Sequence, residues 1–220
     1  MERFLEVVYS ELLPGLRVES EHPHEPVVAS AIPKPWKLLG CGNYAVVVTH
    51  PDFPDRVVKL YAPGREGWDE EVEVYRRLGK HDAYSECLYA DRERQFLVMK
   101  RLNGKTLYDC VRQGDRIPEQ VIKDIDEALD YARERGLNPH DVHGKNVMVT
   151  PQGRGVVVDV SDFLKQEPCH MWRDLKRAYY RLYVPFLHDR PMPVPDSVMN
   201  GVRKGYRLIR KSRSLWKSDT

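Results

Sequence analysis

Pro139-His140-Asp141-Val142-His143-Gly144-Lys145-Asn146-Val147-Met148-Val149, followed by Val156-Val157-Val158-Asp159, is the stretch on which the fold of this chain turns. Asp141 and Asn146 stand five positions apart, Asn146 and Asp159 thirteen, each beside an apolar, β-prone run. Val147 to Thr150 and Val156 to Val158 read as a hairpin turned at Pro151-Gln152-Gly153. A carboxylate in the loop before such a hairpin can accept a hydrogen bond from an attacking hydroxyl and align it with a γ-phosphorus. The amide oxygen of Asn146 can be offered to Mg2+. Asp159 closes an apolar strand, where an unpaired charge is costly. A cation bridging nucleotide phosphates is its natural partner, since Mg2+ takes oxygen ligands and keeps waters. Taken singly, Asp141 and Asn146 are also good turn formers and Asp159 a passable strand-end cap. That explanation does not account for all three together with what lies upstream.

Upstream, Gly40-Cys41-Gly42-Asn43-Tyr44-Ala45-Val46-Val47 puts two glycines two apart between two strands. Without a Cβ, such a turn can press backbone N–H groups onto phosphate oxygens. A tight hairpin needing φ > 0 is the plainer reading of the same residues. Ala45 takes the place of a third glycine, and Val47 is set to pack on an adenine ring. Lys59 lies inside the apolar strand Val57-Val58-Lys59-Leu60. It either snorkels to water or meets an anion, here the α- and β-phosphates of ATP. Such a lysine needs an acid to orient it. Glu71 is the choice over Glu70 and Glu73, because Val74, Tyr75 and Leu78 follow it at helical spacing.

The rest of the pattern splits in two. Glu2 to Leu13 reads as a short amphipathic helix, ended by Pro14-Gly15, and residues 19–35 as an extended lead-in. Trp36 to Leu39, Ala45 to Thr49, Arg56 to Tyr61 and Gln95 to Lys100 read as strands around a helix from Asp69 to Leu78, with Val72, Tyr75 and Leu78 on one face. Asn103-Gly104 marks a boundary. Beyond it Thr106-Leu107-Tyr108-Asp109 has capping-box spacing. Pro118 to Arg135 is a helix with the stripe Val121, Ile122, Ile125, Leu129 and Ala132, stopped at Gly136. Helices are also expected over Trp172 to Leu187 and Ser197 to Arg210, split by Arg190 to Pro195. On the first, Trp172, Leu175, Tyr179, Leu182 and Phe186 fall at core spacing. Strands with one helix, then helices with one hairpin, predict an α+β chain. Its parts are an extension (1–35), a β-rich N-lobe (36–102) and a reduced, mainly helical C-lobe (103–220).

Composition bounds the class. The chain has 220 residues, 41% hydrophobic and 31% charged, with net charge +2, which supports no global nucleic-acid or membrane field. No run approaches the roughly 18 apolar residues that span a bilayer. Met1-Glu2-Arg3-Phe4 lacks the basic-then-apolar pattern of a secretory signal. Cys41, Cys87, Cys110 and Cys169 form no Cys-x-x-Cys pair, which fits a reduced cytoplasmic compartment and argues against a metal cluster. His143 reads as a loop-ordering or phosphate-facing side chain; His140 has no assigned role. Asp174 is either a helix N-terminal charge or a support beneath the catalytic loop. Arg203, Lys204, Arg207, Arg210, Lys211, Arg213 and Lys217 make a basic tail, read as a solvated face, with a nucleic-acid or anionic-membrane contact as the other option.

From Trp36 to Asp174 the chain resembles the protein-kinase-like superfamily, in particular the small bacterial eukaryotic-like serine/threonine kinases. Gly40, Gly42, Ala45 and Val47 match the glycine-rich loop, Lys59 the strand lysine and Glu71 the helix glutamate. Met99 stands at the gatekeeper place before the hinge Lys100-Arg101-Leu102. Asp141 and Asn146 match the catalytic-loop pair, and Asp159 the metal-binding aspartate. The resemblance implies a bilobal fold, ATP and Mg2+ as cofactors, ATP contacts at Met99, Arg101 and Leu102, and a hydroxyl acceptor. It also has departures. Pro139 stands where the family usually has His, and His143 replaces a common lysine, as in aminoglycoside and choline phosphotransferases. Asp159-Val160-Ser161 replaces Asp-Phe-Gly, and no Ala-Pro-Glu follows. The implied activity is transfer of a γ-phosphate, with a serine/threonine protein kinase as the first reading. A small-molecule kinase and a nucleotide-binding scaffold without useful catalysis are the alternatives.

Overall fold

The computed structural model describes residues 1–20 and 25–215. Helix α1 (Glu2–Val7) runs through a π-helical stretch (Val8–Leu12) into a last turn, α2 (Leu13–Gly15). The sequence placed one helix here ending before Pro14. The structure carries the helix through it, because a proline in the first positions of a helical turn gives up no bond that the turn needs. Strands β1 (Arg17–Glu19) and β2 (Val28–Ala31) pair as a small antiparallel hairpin; β2 falls within the 19–35 stretch expected to be extended, while β1 begins before it.

Next come β3 (Lys37–Cys41), β4 (Ala45–His50), β5 (Phe53–Tyr61), α3 (Trp68–Leu78), β6 (Cys87–Asp91) and β7 (Phe96–Lys100). The strands form one antiparallel sheet in the order β3-β4-β5-β7-β6. On its central strands, successive side chains turn to opposite faces. Ala45, Val57, Tyr61, Leu97 and Met99 enter a core shared with the rest of the chain, while Val46, Val48, Val58, Phe96 and Val98 enter a second core on the opposite face. Phe4, Val8, Leu12 and Trp36 close that second core. Residues near the N-terminus therefore cap the outer face of the sheet, burying apolar area that would otherwise meet water.

Trp68 sets the phase of α3. Its indole N–H donates to the Phe96 carbonyl at 3.3 Å, and the buried face is Trp68, Glu71, Val74, Tyr75 and Leu78. Val72, expected on that face, is only half-buried.

Beyond the sheet lie β8 (Lys105–Thr106), α4 (Leu107–Gln113), α5 (Glu119–Glu134), β9 (Val147–Val149), β10 (Gly155–Val157), α6 (Met171–Ala178), a π-helical segment (Tyr179–His188) and α7 (Asp196–Leu215). Thr106 caps α4 as its spacing predicts, its hydroxyl oxygen accepting the Asp109 N–H at 3.0 Å. The α5 stripe is buried throughout, and Gly136 takes φ +71° just past its end. The expected hairpin forms, and β8 adds a third strand to it. Asp124 on α5 binds the hairpin directly. Its carboxylate takes the Gly155 N–H at 2.8 Å and both Arg154 donors at 2.8 Å. A Cβ at Gly155 would lie 2.6 Å from the Val121 carbonyl oxygen, so only glycine lets strand and helix meet this closely.

The core spacing expected after Trp172 fails in its second half. Tyr179 and Tyr183 are buried and stack on one another, whereas Leu182 and Phe186 are exposed. The widened π turn brings residues four apart, rather than three, onto one face, and Pro185 removes a donor within it. Arg203 and Lys204 of the basic tail lie on α7 and are exposed. The side chains of Arg207, Arg210, Lys211 and Arg213, and the whole of Lys217, lie outside the described residues.

Candidate active site

Lys59 anchors the site. On β5 it faces the same side as Val57 and Tyr61, toward α3. Its Nζ lies 2.7 Å from Oε1 of Glu71 and 3.4 Å from Oδ1 of Asp159, a hundred positions away in sequence. Of the three acids considered on α3, Glu71 is the one turned inward, with no exposed surface. Glu70 is exposed, and Glu73 pairs with Arg76 and Arg77 on the outer face. Burial works against the Lys59 charge, but the Asp159 and Glu71 carboxylates outweigh it and raise its pKa, so the ammonium is retained. Burial pushes Glu71 upward, against the pull of Lys59 and of the Tyr61 hydroxyl, which donates to its second oxygen.

Asp159 follows β10. Its Oδ1 accepts the Ser161 N–H at 3.1 Å and the Ser161 hydroxyl at 2.9 Å, besides Lys59. Burial alone would raise this carboxyl; Lys59 and the two Ser161 donors overcome it and hold it below its ordinary value. The converging donors all take Oδ1, which leaves Oδ2 as the oxygen to offer a cation.

Asp141 sits at φ +56°, a conformation that Asp tolerates better than most residues. Three local bonds shape its loop: the Asn146 side-chain amide donates to the Asp141 carbonyl at 3.1 Å, the Asn146 N–H to His143 at 2.9 Å, and the Val158 N–H to Asn146 at 3.0 Å. The amide nitrogen of Asn146 is thereby turned inward and its oxygen is the end left for a metal. Burial raises the Asp141 carboxyl; His143, with Nε2 at 3.8 Å, pulls it back, and Asp162 and Asp159 add to the rise. His143 also orders the loop, its Nδ1 accepting the Lys145 N–H at 3.3 Å. His140 stands 3.9 Å from the Asp162 carboxylate. Asp174 lies in the first turn of α6, its N–H on the His170 carbonyl at 2.9 Å and its carboxylate 3.8 Å from Arg173 and Arg177.

The loop between β3 and β4 modifies one expectation. Neither Gly40 nor Gly42 takes positive φ, so the plainer reading of these glycines does not hold. The Gly42 N–H is used within the hairpin, donating to Ala45 at 2.9 Å. The Gly42 N–H is therefore not free to meet a phosphate. A Cβ on Gly40 would meet nothing within 4 Å, so the fold itself does not need glycine there. Ala45 and Met99 are buried, and Val47 is half-buried opposite Lys59 in the ladder. At the hinge the Arg101 N–H donates to Asp55 at 2.8 Å and is taken. Leu102, half-buried, is the next residue along.

Sequence reasoning missed three side chains. Tyr61 has a readable signal, since it stands two residues after Lys59 and so shares its face. Ser161 was noted only as a departure. Asn138 has no signal at all; its amide donates to the Lys165 and Glu167 carbonyls and fastens the segment after Asp159 to the catalytic loop.

A β-rich lobe carrying a lysine–glutamate pair, set against a helical lobe carrying an Asp…Asn…Asp hairpin, defines a phosphotransferase of the protein-kinase class. The chain is 34% identical to "Putative serine/threonine-protein kinase YrzF" of Bacillus subtilis (strain 168) over 158 residues, covering 71% of this chain and 73% of that one. It belongs to the serine/threonine-protein kinase family, and phosphoryl transfer is its class of activity. It is also 27% identical to "CBL-interacting serine/threonine-protein kinase 16" of Arabidopsis thaliana, spanning 56% of this chain but 30% of that protein. Among solved structures, "PpkA-294 apo form" aligns with TM-score 0.49 at 14% identity over 64% of this chain and 60% of its own. No family model matches the chain.

Proposed function

We propose that this chain is an active ATP- and Mg2+-dependent kinase that phosphorylates hydroxyls of serine or threonine in a protein acceptor. One observation carries the reading: Lys59 is held by Glu71 at 2.7 Å and by Asp159 at 3.4 Å, joining a strand lysine to a carboxylate that follows the catalytic hairpin. Lys59 would hold the α- and β-phosphates, with Glu71 fixing its direction. The open space over Gly40 and the amides at Asn43 and Tyr44 suit the phosphate tail, and Ala45, Val47, Met99 and Leu102 suit the adenine. Mg2+ takes one or two protein carboxylates or amides and fills its shell with phosphate oxygens and water; Asn146 and Asp159 would be those two ligands. The metal's contribution when bound is to neutralise charge developing on the phosphates. Asp141 accepts the hydrogen bond of the incoming hydroxyl and aligns it. Burial raises its carboxyl, and His143 beside it opposes part of that rise.

No helix of the described residues is long and apolar enough to cross a membrane; a cytoplasmic setting is part of the proposal. Labelling with γ-labelled ATP tests it. Asp141→Asn should abolish transfer while nucleotide binding, measured by calorimetry with Mg2+, stays nearly unchanged. Equal turnover in wild type and variant would refute the role. Label appearing on small hydroxyl compounds but never on protein would shift the acceptor to a small molecule.

A further inference from the structure

Tyr61 stands two residues beyond Lys59 on β5, and the period of a strand sends both side chains to the same face. Its ring is 3% exposed, and Lys59 Nζ lies 5.8 Å from the ring centroid. The Tyr61 hydroxyl donates to Oε2 of Glu71, while Lys59 holds Oε1. The same hydroxyl lies 3.3 Å from the Gly67 carbonyl, at the residue that precedes α3. Both oxygens of a carboxylate with no exposed surface are thus gripped by one rigid strand, and the start of the helix that carries it is touched as well.

A single ion pair fixes a distance. Two donors, one on each oxygen, also fix the plane of the carboxylate. For α3 to move off the sheet it would have to break both contacts, costing Glu71 both its partners and the Tyr61 hydroxyl its carboxylate acceptor and leaving Lys59 with Asp159 alone. A buried tyrosine hydroxyl needs some acceptor, and the Gly67 carbonyl alone would meet that need. Choosing the catalytic glutamate as well is what the packing does not require.

We propose that Tyr61 is a positioning residue of this kinase: with Lys59 it pins Glu71 and holds α3 against the sheet, so that the Lys59–Glu71–Asp159 arrangement stands without an activating partner. The inference rests on the phosphotransferase reading for its consequence and on geometry for its mechanism, and the two are measured separately. Tyr61→Phe keeps the ring and removes the donor. Hydrogen exchange, which needs no turnover, should show the amides of α3 exchanging several-fold faster in Tyr61→Phe, with α5 unchanged as internal reference. In self-labelling with γ-labelled ATP, the rate should fall by about tenfold or more, as expected for one lost hydrogen bond to a charged group. In a Glu71→Ala background, Tyr61→Phe should add no further loss, because the hydroxyl then has no carboxylate to hold. Unchanged exchange in α3 would overturn the proposal, and so would a Tyr61→Phe penalty that persists in full without Glu71. If wild-type protein fails to label but α3 loosens as described, the kinase reading falls and the positioning role of Tyr61 stands.

Discussion

Asp124→Ala is the sharpest test of how the catalytic hairpin is held in place. Asp124 is 5% exposed and receives Gln120, Arg154 twice and the Gly155 N–H. Removing it strands the buried Gly155 N–H, which costs about 1–3 kcal/mol. Loss of the pairing to Arg154, whose side chain is 62% exposed, adds about 0–1 kcal/mol. The sum is about 1–4 kcal/mol, or a fall in Tm of about 2–16 °C for a chain of this size. Asp130→Ala breaks an exposed pair with Arg133 on the same helix and should cost less than about 0.5 kcal/mol. Acid supplies a second dimension. Burial raises the Asp124 carboxyl, but Arg154, Gln120 and the Gly155 N–H outweigh it and depress its pKa in the folded state. A group depressed on folding contributes its stability above its unfolded value, about pH 4, and loses it as pH drops through the lower folded value. The Asp124→Ala penalty should therefore be complete at pH 7 and shrink in thermal melts run below about pH 4. A melt at pH 7 in which Asp124→Ala and Asp130→Ala are indistinguishable would refute the reasoning, as would a penalty independent of pH.

Two further outcomes separate binding from folding. Gly40→Ala adds a methyl into open space, so Tm should hold while calorimetry shows weaker nucleotide binding; an unchanged affinity would remove Gly40 from the site. Ser161→Ala keeps the backbone donor to Asp159 but deletes the hydroxyl one. The Mg2+ concentration for half-maximal labelling should rise about tenfold or more, the loss of one hydrogen bond to a charged group, and a constant Mg2+ requirement would show that Ser161 is incidental.

Elements whose apolar residues follow one period were legible in the sequence. The α5 stripe and the central strands fall where their patterns put them, because burial on one face or two writes directly into residue choice. Strand β6 (Cys87-Leu88-Tyr89-Ala90-Asp91) was not readable. All five of its residues are half-buried, so no alternation survives. The inward turn of Glu71 depended on Trp68, whose docking on Phe96 is a tertiary fact. The failure over Leu182 and Phe186 has the opposite cause: the pattern was clear, but a π-helical turn changed the period being tested. At the site, charged residues could be named because each is out of place in an apolar run. Their orientation could not, since the loss of the Gly42 N–H to Ala45 and of the Arg101 N–H to Asp55 lies in backbone bonds that no side chain announces.

The two lobes are coupled by more than a hinge, and this bears on where control can act. The Val157 N–H donates to the Ala83 carbonyl at 2.8 Å, the Tyr131 hydroxyl to Leu78 at 2.7 Å, and the Tyr84 hydroxyl to Ala128, so the chain that leaves α3 is fastened to both α5 and β10. Between Asp159 and α6 only residues 160–170 remain. They are tied back by Phe163 accepting the Asn138 N–H and by the Asn138 amide on Lys165 and Glu167, while Lys165 pairs with Asp162 at 2.8 Å within the segment. A segment this short, held to Asn138 at three points, has little slack for the second arrangement that a switch requires. In larger kinases that segment is where phosphorylation completes the site. On the proposed reading, the freedom of α3 is set by how firmly Lys59 and Tyr61 grip Glu71. On that reading, the contact that fixes Lys59 and the contact that holds α3 converge on one carboxylate.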